Sequence, residues 1–531
     1  MSGPAFLDSF GVEIQLGGAV LCQEDGTPLT QEDGSPLIMD GYGFVDVTPD
    51  VLGEISWNKG KLDPRTDSRV AGIGDLKIEL NNSAFNSAGL PGYYSPGHAN
   101  CREGFLERRG IRLYIEYDGV RLYKWQGFIS LIKPVPGIHG PRRTYVECQS
   151  MMIVYHESPR QGLEEIQMDV RSDEMYEEIT MSLDERPPSW AWSPNRQPIS
   201  FVFAGATSKK SPASAEINKV ALSAWDLILE VGNSQHGGRI ISKTYADLLR
   251  EYTVDATLDN EMTALDAGRA REEQKDSAVV VIVPREVGET PEVLWQLDKA
   301  EYIRPGETHP ITMRYRDPNG GASIAGVDVE IDPQPGVDYY FDSIERSLAG
   351  SMNSFLQVEV VRGATQAEVF FTNTSTRGGY LNNYWLWGKA VRSFSEIELI
   401  EFVENAKRDA ELRVTLAYQP LAVFGTALAQ VLRDEMASNA PMVRTVAFNA
   451  NRSETHMEYA MLEPSAVAEI SESQTGVGNW LGMIVGESGR IYGGGLLDIT
   501  WTMLMLPPQD TLLIGVTGRC EIDGSHVMRG V

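Results

Sequence analysis

Between Gly110 and Tyr117 the sequence GIRLYIEY sets Ile111, Leu113, Ile115 and Tyr117 against Arg112, Tyr114 and Glu116. A period of two is the signature of a strand with one face buried, because successive side chains leave a strand on opposite sides. Asp118-Gly119 follows directly, a pair that favours the positive φ angles of a two-residue hairpin turn. The return strand runs through VRLYKWQGFIS, and a third, Arg143 to Cys148, follows the Gly- and Pro-rich PVPGIHGP. A lone hairpin is marginal in water, so this stretch commits the chain to a sheet of three or more strands. The segment from Trp57 to Ser83 adds another strand. Its polar first half, rich in Gly, Pro and Asp, leads into an alternation of Leu76, Ile78 and Leu80 against Asp75, Lys77 and Glu79.

At 531 residues the chain is too long for one core, and about 150 residues per domain gives three or four domains. Apolar residues make up 42% and charged residues 23%, enough apolar surface for the whole length to fold. Residues 1–160 are strand-rich and predict a β-barrel-like domain. Residues 161–295 predict an α+β domain. There the acidic stretch Leu163 to Arg186 repeats Met175, Ile179 and Leu183 every four residues, as an amphipathic helix does. Ser223 with Asp226, then Trp225, Ile228 and Leu229 on one face and Gly232 as a stop, predict a second helix, with strands at Ile199 to Phe203 and Ala278 to Val283. Residues 296–395 carry turn signals at Arg304-Pro-Gly, Asp317-Pro-Asn-Gly-Gly and Arg377-Gly-Gly between strands such as His309 to Tyr315 and Leu356 to Val361, which suits an Ig-like β-sandwich. Residues 396–531 predict a C-terminal β domain with one helix, Leu421 to Ser438, and strands at Arg444 to Phe448 and Leu497 to Leu506. The fold class is mainly β with α+β parts.

The search for chemistry returns little. A net charge of −28 and a pI near 4.7 argue against wrapping nucleic acid, which needs clustered Lys and Arg. The start, MSGPAFLDSFGVEIQLGG, lacks the pattern of a signal peptide, and the run Ala278 to Val283 is far below the roughly 20 residues of a membrane helix, so no membrane insertion is expected. Cys22, Cys101, Cys148 and Cys520 lie far apart and suggest neither a zinc site nor a disulfide framework. The tandem QEDGTPL and QEDGSPL, Gln23 to Leu29 and Gln31 to Leu37, reads as a duplicated surface loop. There is no GxSxG and no HExxH, and Gly476 to Gly482 (GVGNWLG) reads as a loop rather than a dinucleotide site. The remaining enzymatic candidate is Asp184 with Glu185, close to Trp190 and Trp192, as an acid pair for glycoside cleavage beside a sugar-stacking surface. Adjacent carboxylates rarely flank a scissile bond, so a non-catalytic protein without cofactor or metal is expected.

Five blocks then fall in one order. A short polar segment, Lys61 to Arg69, leads into a strand ending in an Asn pair, Gly74 to Asn82. A Gly/Pro loop, Leu90 to His98, precedes the strand Arg109 to Tyr117 and the return strand Tyr123 to Ile129, which ends in Gly-Phe-Ile. This arrangement resembles the N-terminal block of the tail hub and minor tail proteins of long-tailed bacteriophages. Trp225 to Gly232 with Gly237-Gly-Arg-Ile, Val283 to Gly288 with Ile303 to Tyr315, and Phe371 to Asn373 with Tyr380 to Gly388 resemble later blocks of that family. The doubled QEDG loop and the acidic segment depart from its pattern. The resemblance implies a virion tail-tip hub made in the host cytoplasm: a homotrimer rather than a hexamer, in which two similar β domains per chain meet a sixfold tube. The implied partners are the distal tail or tail tube protein, the tape-measure protein, and a central fibre or receptor-binding proteins. DNA would only pass through an acidic lumen. Lys61, Asp63, Arg65, Asp67 and Arg69 are the expected assembly residues. The rival readings are a hexameric distal tail ring protein and a tail-associated enzyme that degrades polysaccharide or cell wall.

Overall fold

In a computed structural model of the chain the described residues are 4–20, 38–62, 68–137, 142–160, 166–195, 198–202, 211–234, 237–244, 247, 252–268, 275–404, 410–437, 443–506, 511–513 and 527–529. A 13-stranded sheet dominates them. Its N-terminal strands are β1 (Ser9–Val20), β2 (Ile38–Asp46), β3 (Val51–Gly60), β4 (Asp75–Asn81), β5 (Gly110–Tyr117), β6 (Val120–Val135) and β7 (Arg143–Ser150). After β8 (Leu227–Val231), which lies outside this sheet, come β9 (Ala256–Asp259), β10 (Ala264–Asp266), β11 (Thr445–Asn449), β12 (Val467–Glu472), β13 (Val477–Tyr492) and β14 (Leu496–Met505). The path across the sheet is β10-β11-β14-β13-β3-β4-β7-β6-β5-β1-β2, with β12 on β13 and β9 on β12. The two ends of the sequence thus share one sheet and one core, in which Val12, Trp57, Ile78 and Trp125 belong to the same buried cluster as Phe448, Ile484 and Trp501.

The hairpin that opened the sequence argument is there. β5 and β6 pair antiparallel across Asp118 and Gly119, whose φ angles of 49° and 70° are those the turn demands. Leu76, Ile78 and Leu80 alternate into the core of β4, as their period of two requires.

The helices are shorter than their sequence patterns. α1 (Ser172–Met181) buries Met175 and Ile179, but Gln167–Arg171 ahead of it is a strand paired with Pro198–Val202. α2 (Ala213–Ala224) ends where a second helix is expected to begin, because Trp225 takes a left-handed φ of 59° and the chain then extends into β8. All five residues of β8 are buried, so both faces are covered and periodicity alone could not distinguish this strand from a buried helix. Asp226, expected in a capping box, instead accepts hydrogen bonds from Ser172 Oγ (2.6 Å) and Tyr176 OH (3.1 Å). α3 (Ala422–Ala437) forms as its stripe predicts and packs Leu428 and Leu432 against Val280 and Ile282.

Between these parts, Gly379–Ser393 is the spine of a six-stranded sheet that also takes in Arg285–Val287 and Glu292–Gln296. It faces a three-stranded sheet of Thr308–Arg314, Leu356–Arg362 and Gln366–Asn373 across a core holding Phe341, Phe371 and Tyr384. The tandem QEDG segment lies outside the described residues.

Candidate functional site

The large sheet is built twice from one plan. Strands β3-β4-β7-β6-β5 follow the same order as β10-β11-β14-β13-β12. The register agrees residue by residue. Gly127, Phe128 and Ile129 of β6 lie opposite Ser150, Gln149 and Cys148, and Gly482, Met483 and Ile484 of β13 lie opposite Met505, Leu504 and Met503. Each pairing then skips one residue, Ser130 or Val485, before resuming. On the other side Ile111 and Leu113 oppose Gly127 and Trp125, as Ala468 and Ile470 oppose Gly482 and Trp480. Each long strand carries Trp-x-Gly-x-Ile, Trp125 to Ile129 and Trp480 to Ile484, with the tryptophan ring lying over the glycine. The GVGNWLG stretch is therefore the start of a strand and not a loop.

The two units are joined by β3 and β13, which pair from Ile55 opposite Ile491 to Gly60 opposite Gly486. A Cβ at Gly489 would fall 2.1 Å from the Trp57 ring, so the absence of a side chain there lets the tryptophan lie flat across the seam. Its Nε1 donates to Glu487 Oε1 at 3.1 Å. Behind it is a buried ionic cluster. The Lys124 Nζ donates to Glu487 Oε2 (2.7 Å) and to the Leu462 carbonyl (2.8 Å), and it pairs with Glu463 Oε1 at 2.9 Å. Lys59 pairs with Glu463 as well. Lys59, Lys124 and Glu487 are fully buried, and Glu463 retains 17% side-chain exposure.

Electrostatics follow from burial and partners. Burial opposes the charge on Lys124, but the Glu463 and Glu487 carboxylates outweigh it and hold the ammonium above its ordinary value. Burial likewise opposes the Glu463 charge, and Lys124 and Lys59 overcome it, so this carboxylate is held below its usual value. Glu230 of β8, only 1% exposed, is different. Burial pushes its carboxyl up to about 7, against the weaker pull of the Ser150 hydroxyl and Lys59. Two ammoniums thus face two carboxylates, and the cluster is neutral while Glu230 holds its proton. These groups lock strands together. They include no nucleophile beside a base, and among the described residues no group of three His, Cys, Asp or Glu could hold a metal ion.

Of the expected assembly residues, Lys61 and Arg69 are 4% and 3% exposed and are engaged within the chain. The Lys61 ammonium donates to the Ser68 carbonyl. The Arg69 guanidinium donates to the carbonyls of Asp226 and Trp225, both at 2.9 Å, and lies 4.3 Å from the Trp225 ring. Lys61 therefore ties the two ends of the loop together, and Arg69 docks the loop onto the residues that lead into β8, roles the polar sequence did not suggest. Asp63, Arg65 and Asp67 lie outside the described residues. Asp184 and Glu185 line a hollow with Glu107, Arg108 and Glu157, whereas Trp190 and Trp192 line another with Asp173, Glu174, Glu177 and Glu178. The Trp190 Nε1 donates to Glu177 Oε2 at 2.7 Å. The acid pair and the aromatic rings are not brought into one cleft.

No family model matches the sequence, and no curated protein matches it. Solved structures similar to this chain include the 43 kDa tail protein of prophage MuSo2 from Shewanella oneidensis, with a TM-score of 0.45 and 8% identity over 93% of this chain and 98% of that one. The tail protein from Neisseria meningitidis MC58 has a TM-score of 0.42 and 7% identity over 93% of this chain and 96% of that one. The E. coli c3393 protein, a type VI secretion system component with structural similarity to the T4 bacteriophage tail proteins gp27 and gp5, has a TM-score of 0.35 and 7% identity over 87% of this chain and 74% of that one.

Proposed function

We propose that this chain is a non-catalytic structural component of a bacteriophage tail tip. As a hub, three copies close the distal end of the tail tube and anchor a central fibre or receptor-binding proteins during attachment and DNA ejection. The observation that carries the reading is the duplication: two β units in one strand order and one register, fused edge to edge by β3 and β13. A chain with two such units presents a tube with the same surface twice, so three chains meet a sixfold ring where a chain with one unit would need six copies. The sequence blocks that resemble tail hub proteins support the same reading. A net charge of −28 suits a lumen through which DNA passes without adhering. The tape-measure protein and the tail tube or distal tail protein are the partners this reading implies.

The test is a native mass measurement of the full chain, alone and with its tail tube protein. Assemblies of three copies support the hub. Six copies favour the distal ring reading, and a protein that stays monomeric with the tube protein present would overturn both.

A further inference from the structure

The internal seam predicts an external one. Along one side of β13, β12 covers Val477 to Met483 and β3 covers Gly486 to Ile491, on either side of the skipped Val485. Along the matching side of β6, β5 covers Val120 to Phe128, but beyond the skipped Ser130 no strand among the described residues covers Leu131 to Val135. The donor is unmatched as well. β10 pairs with β11 as β3 pairs with β4, yet β3 gives its other edge to β13 and the other edge of β10 has no strand among the described residues. Among the described residues the two units thus leave one acceptor edge on β6 and one donor edge on β10 without a strand, and the pair of units inside the chain shows how they fit.

We infer that β10 of one copy adds antiparallel to the outer edge of β6, Leu131 to Val135, of a second copy. This rests on the proposed ring of copies and names its contact. The register follows from the internal seam. Ser56 lies opposite Lys77 as Asp266 lies opposite Thr445, and Ser56 lies opposite Arg490, which matches Val135. Asp266 therefore falls opposite Val135, Ala267 opposite Pro134 and Gly268 opposite Lys133. Asp266 and Lys133 are both exposed and become diagonal neighbours on one face, within reach of an ion pair.

The backbone allows it. Arg142 O accepts from Asn82 N, which turns Arg143 and Tyr145 of β7 toward β6 and leaves the main-chain groups of Ile132 and Pro134 pointing outward. Pro134 has no N–H, so this seam has one donor fewer than the internal one, and Pro134 with Lys133 guards the edge against indiscriminate pairing. The contact joins different edges of identical chains, the kind that closes into rings.

The experiment introduces Val135→Cys and Asp266→Cys into the full chain, singly and together, with circular dichroism as the folding check. Directly opposed strand residues lie within disulfide reach. On mild oxidation, an equal mixture of the two single variants should cross-link between chains, and the double variant should give covalent species up to three chains. A second arm uses Lys133→Glu, expected to weaken association about tenfold by setting like charges together, and Lys133→Glu with Asp266→Lys, expected to restore it. Three-copy assemblies that neither cross-link nor respond to Lys133→Glu would overturn this contact and leave the hub reading standing. Absence of any assembly with the tube protein present would overturn both.

Discussion

The unit from β3 to β7 and the unit from β10 to β14 share order, register and the position of a skipped residue, yet they meet the rest of the molecule differently. In the first, β1 lies antiparallel beside β5. In the second, β9 lies parallel beside β12 at the same height, opposite Ala468 and Ile470. Charge differs more. The first unit supplies Lys59 and Lys124 to the seam, and the second, with the loop entering β12, supplies Glu487 and Glu463. The backbone plan is therefore a repeated frame, while the side chains at the seam make one unit basic toward its neighbour and the other acidic. The buried seam is a permanent joint. The edges that no strand among the described residues covers carry the exposed Lys133 and Asp266 instead.

The residue preceding the repeated tryptophan gives the sharpest contrast. Lys124 is buried among carboxylates, and Asn479, at the matching place, is exposed with one 3.2 Å side-chain bond from Ser471. Lys124→Ala leaves Glu487 and Glu463 without their shared cation and is expected to cost about 3–5 kcal/mol. Asn479→Asp, which keeps a residue type tolerated at the positive φ of 46° found here, should stay below about 1 kcal/mol. Urea unfolding, with hydrogen exchange of the β6 and β13 amides, separates them. Equal losses would mean that the charge asymmetry of the seam stabilises nothing.

Glu230→Gln probes the same seam through pH. The Glu230 carboxyl rises from 4.5 to about 7 on folding. Between these values the folded chain holds a proton that the unfolded chain has released, so stability falls as pH rises from 4.5 to 7 and the penalty persists above. The full penalty is about 3 kcal/mol. The glutamine variant should match the parent chain at pH 4.5 and exceed its stability by up to that amount at pH 8. A variant no more stable at pH 8 would show that Glu230 does not carry the buried charge assigned to it.

The sequence disclosed what is local. The β5–β6 hairpin was legible because alternation and Asp118-Gly119 act over a few residues, and α3 because its stripe runs for four turns. β8 was misread as a helix because a strand buried on both faces has no period. β13 was misread at its start because Gly478 and Gly482 look like loop residues. Gly482 serves instead to make room for Trp480. The ionic cluster was invisible for another reason. Lys59 and Glu463 are 404 residues apart, Lys124 and Glu487 are 363 apart, and nothing beside any of them marks a partner. One signal could have exposed the duplication: WQGFI and WLGMI share Trp, Gly and Ile at the same spacing. The second copy sits in the glycine-rich stretch GVGNWLGMI, where the glycines mask the match. The contacts that Lys61 and Arg69 make within the chain were not legible, because their acceptors are main-chain carbonyls, which carry no side-chain signal.

That repeated glycine offers the finest test of how far the two units are alike. A Cβ added to Gly127 would fall 2.0 Å from the Gln149 carbonyl oxygen and 2.6 Å from the Trp125 ring. At Gly482 it would fall 2.2 Å from the Trp480 ring but 3.1 Å from the Leu504 carbonyl oxygen. A ring can tilt within its pocket, whereas a carbonyl in a paired strand moves only with its ladder, so the first clash is the harder to relieve. Gly127→Ala is expected to cost about 3 kcal/mol and Gly482→Ala about 1 kcal/mol, the two ends of the range for overpacking. Thermal unfolding of both variants, with tryptophan fluorescence as the probe, checks the order. Should the losses be equal, the ring alone sets the cost in both units, and the closer approach of β7 to β6 has no energetic weight. Should Gly482→Ala be the worse, the second unit is the more tightly packed of the two around this glycine, and the shorter approach to the Gln149 carbonyl does not decide the order.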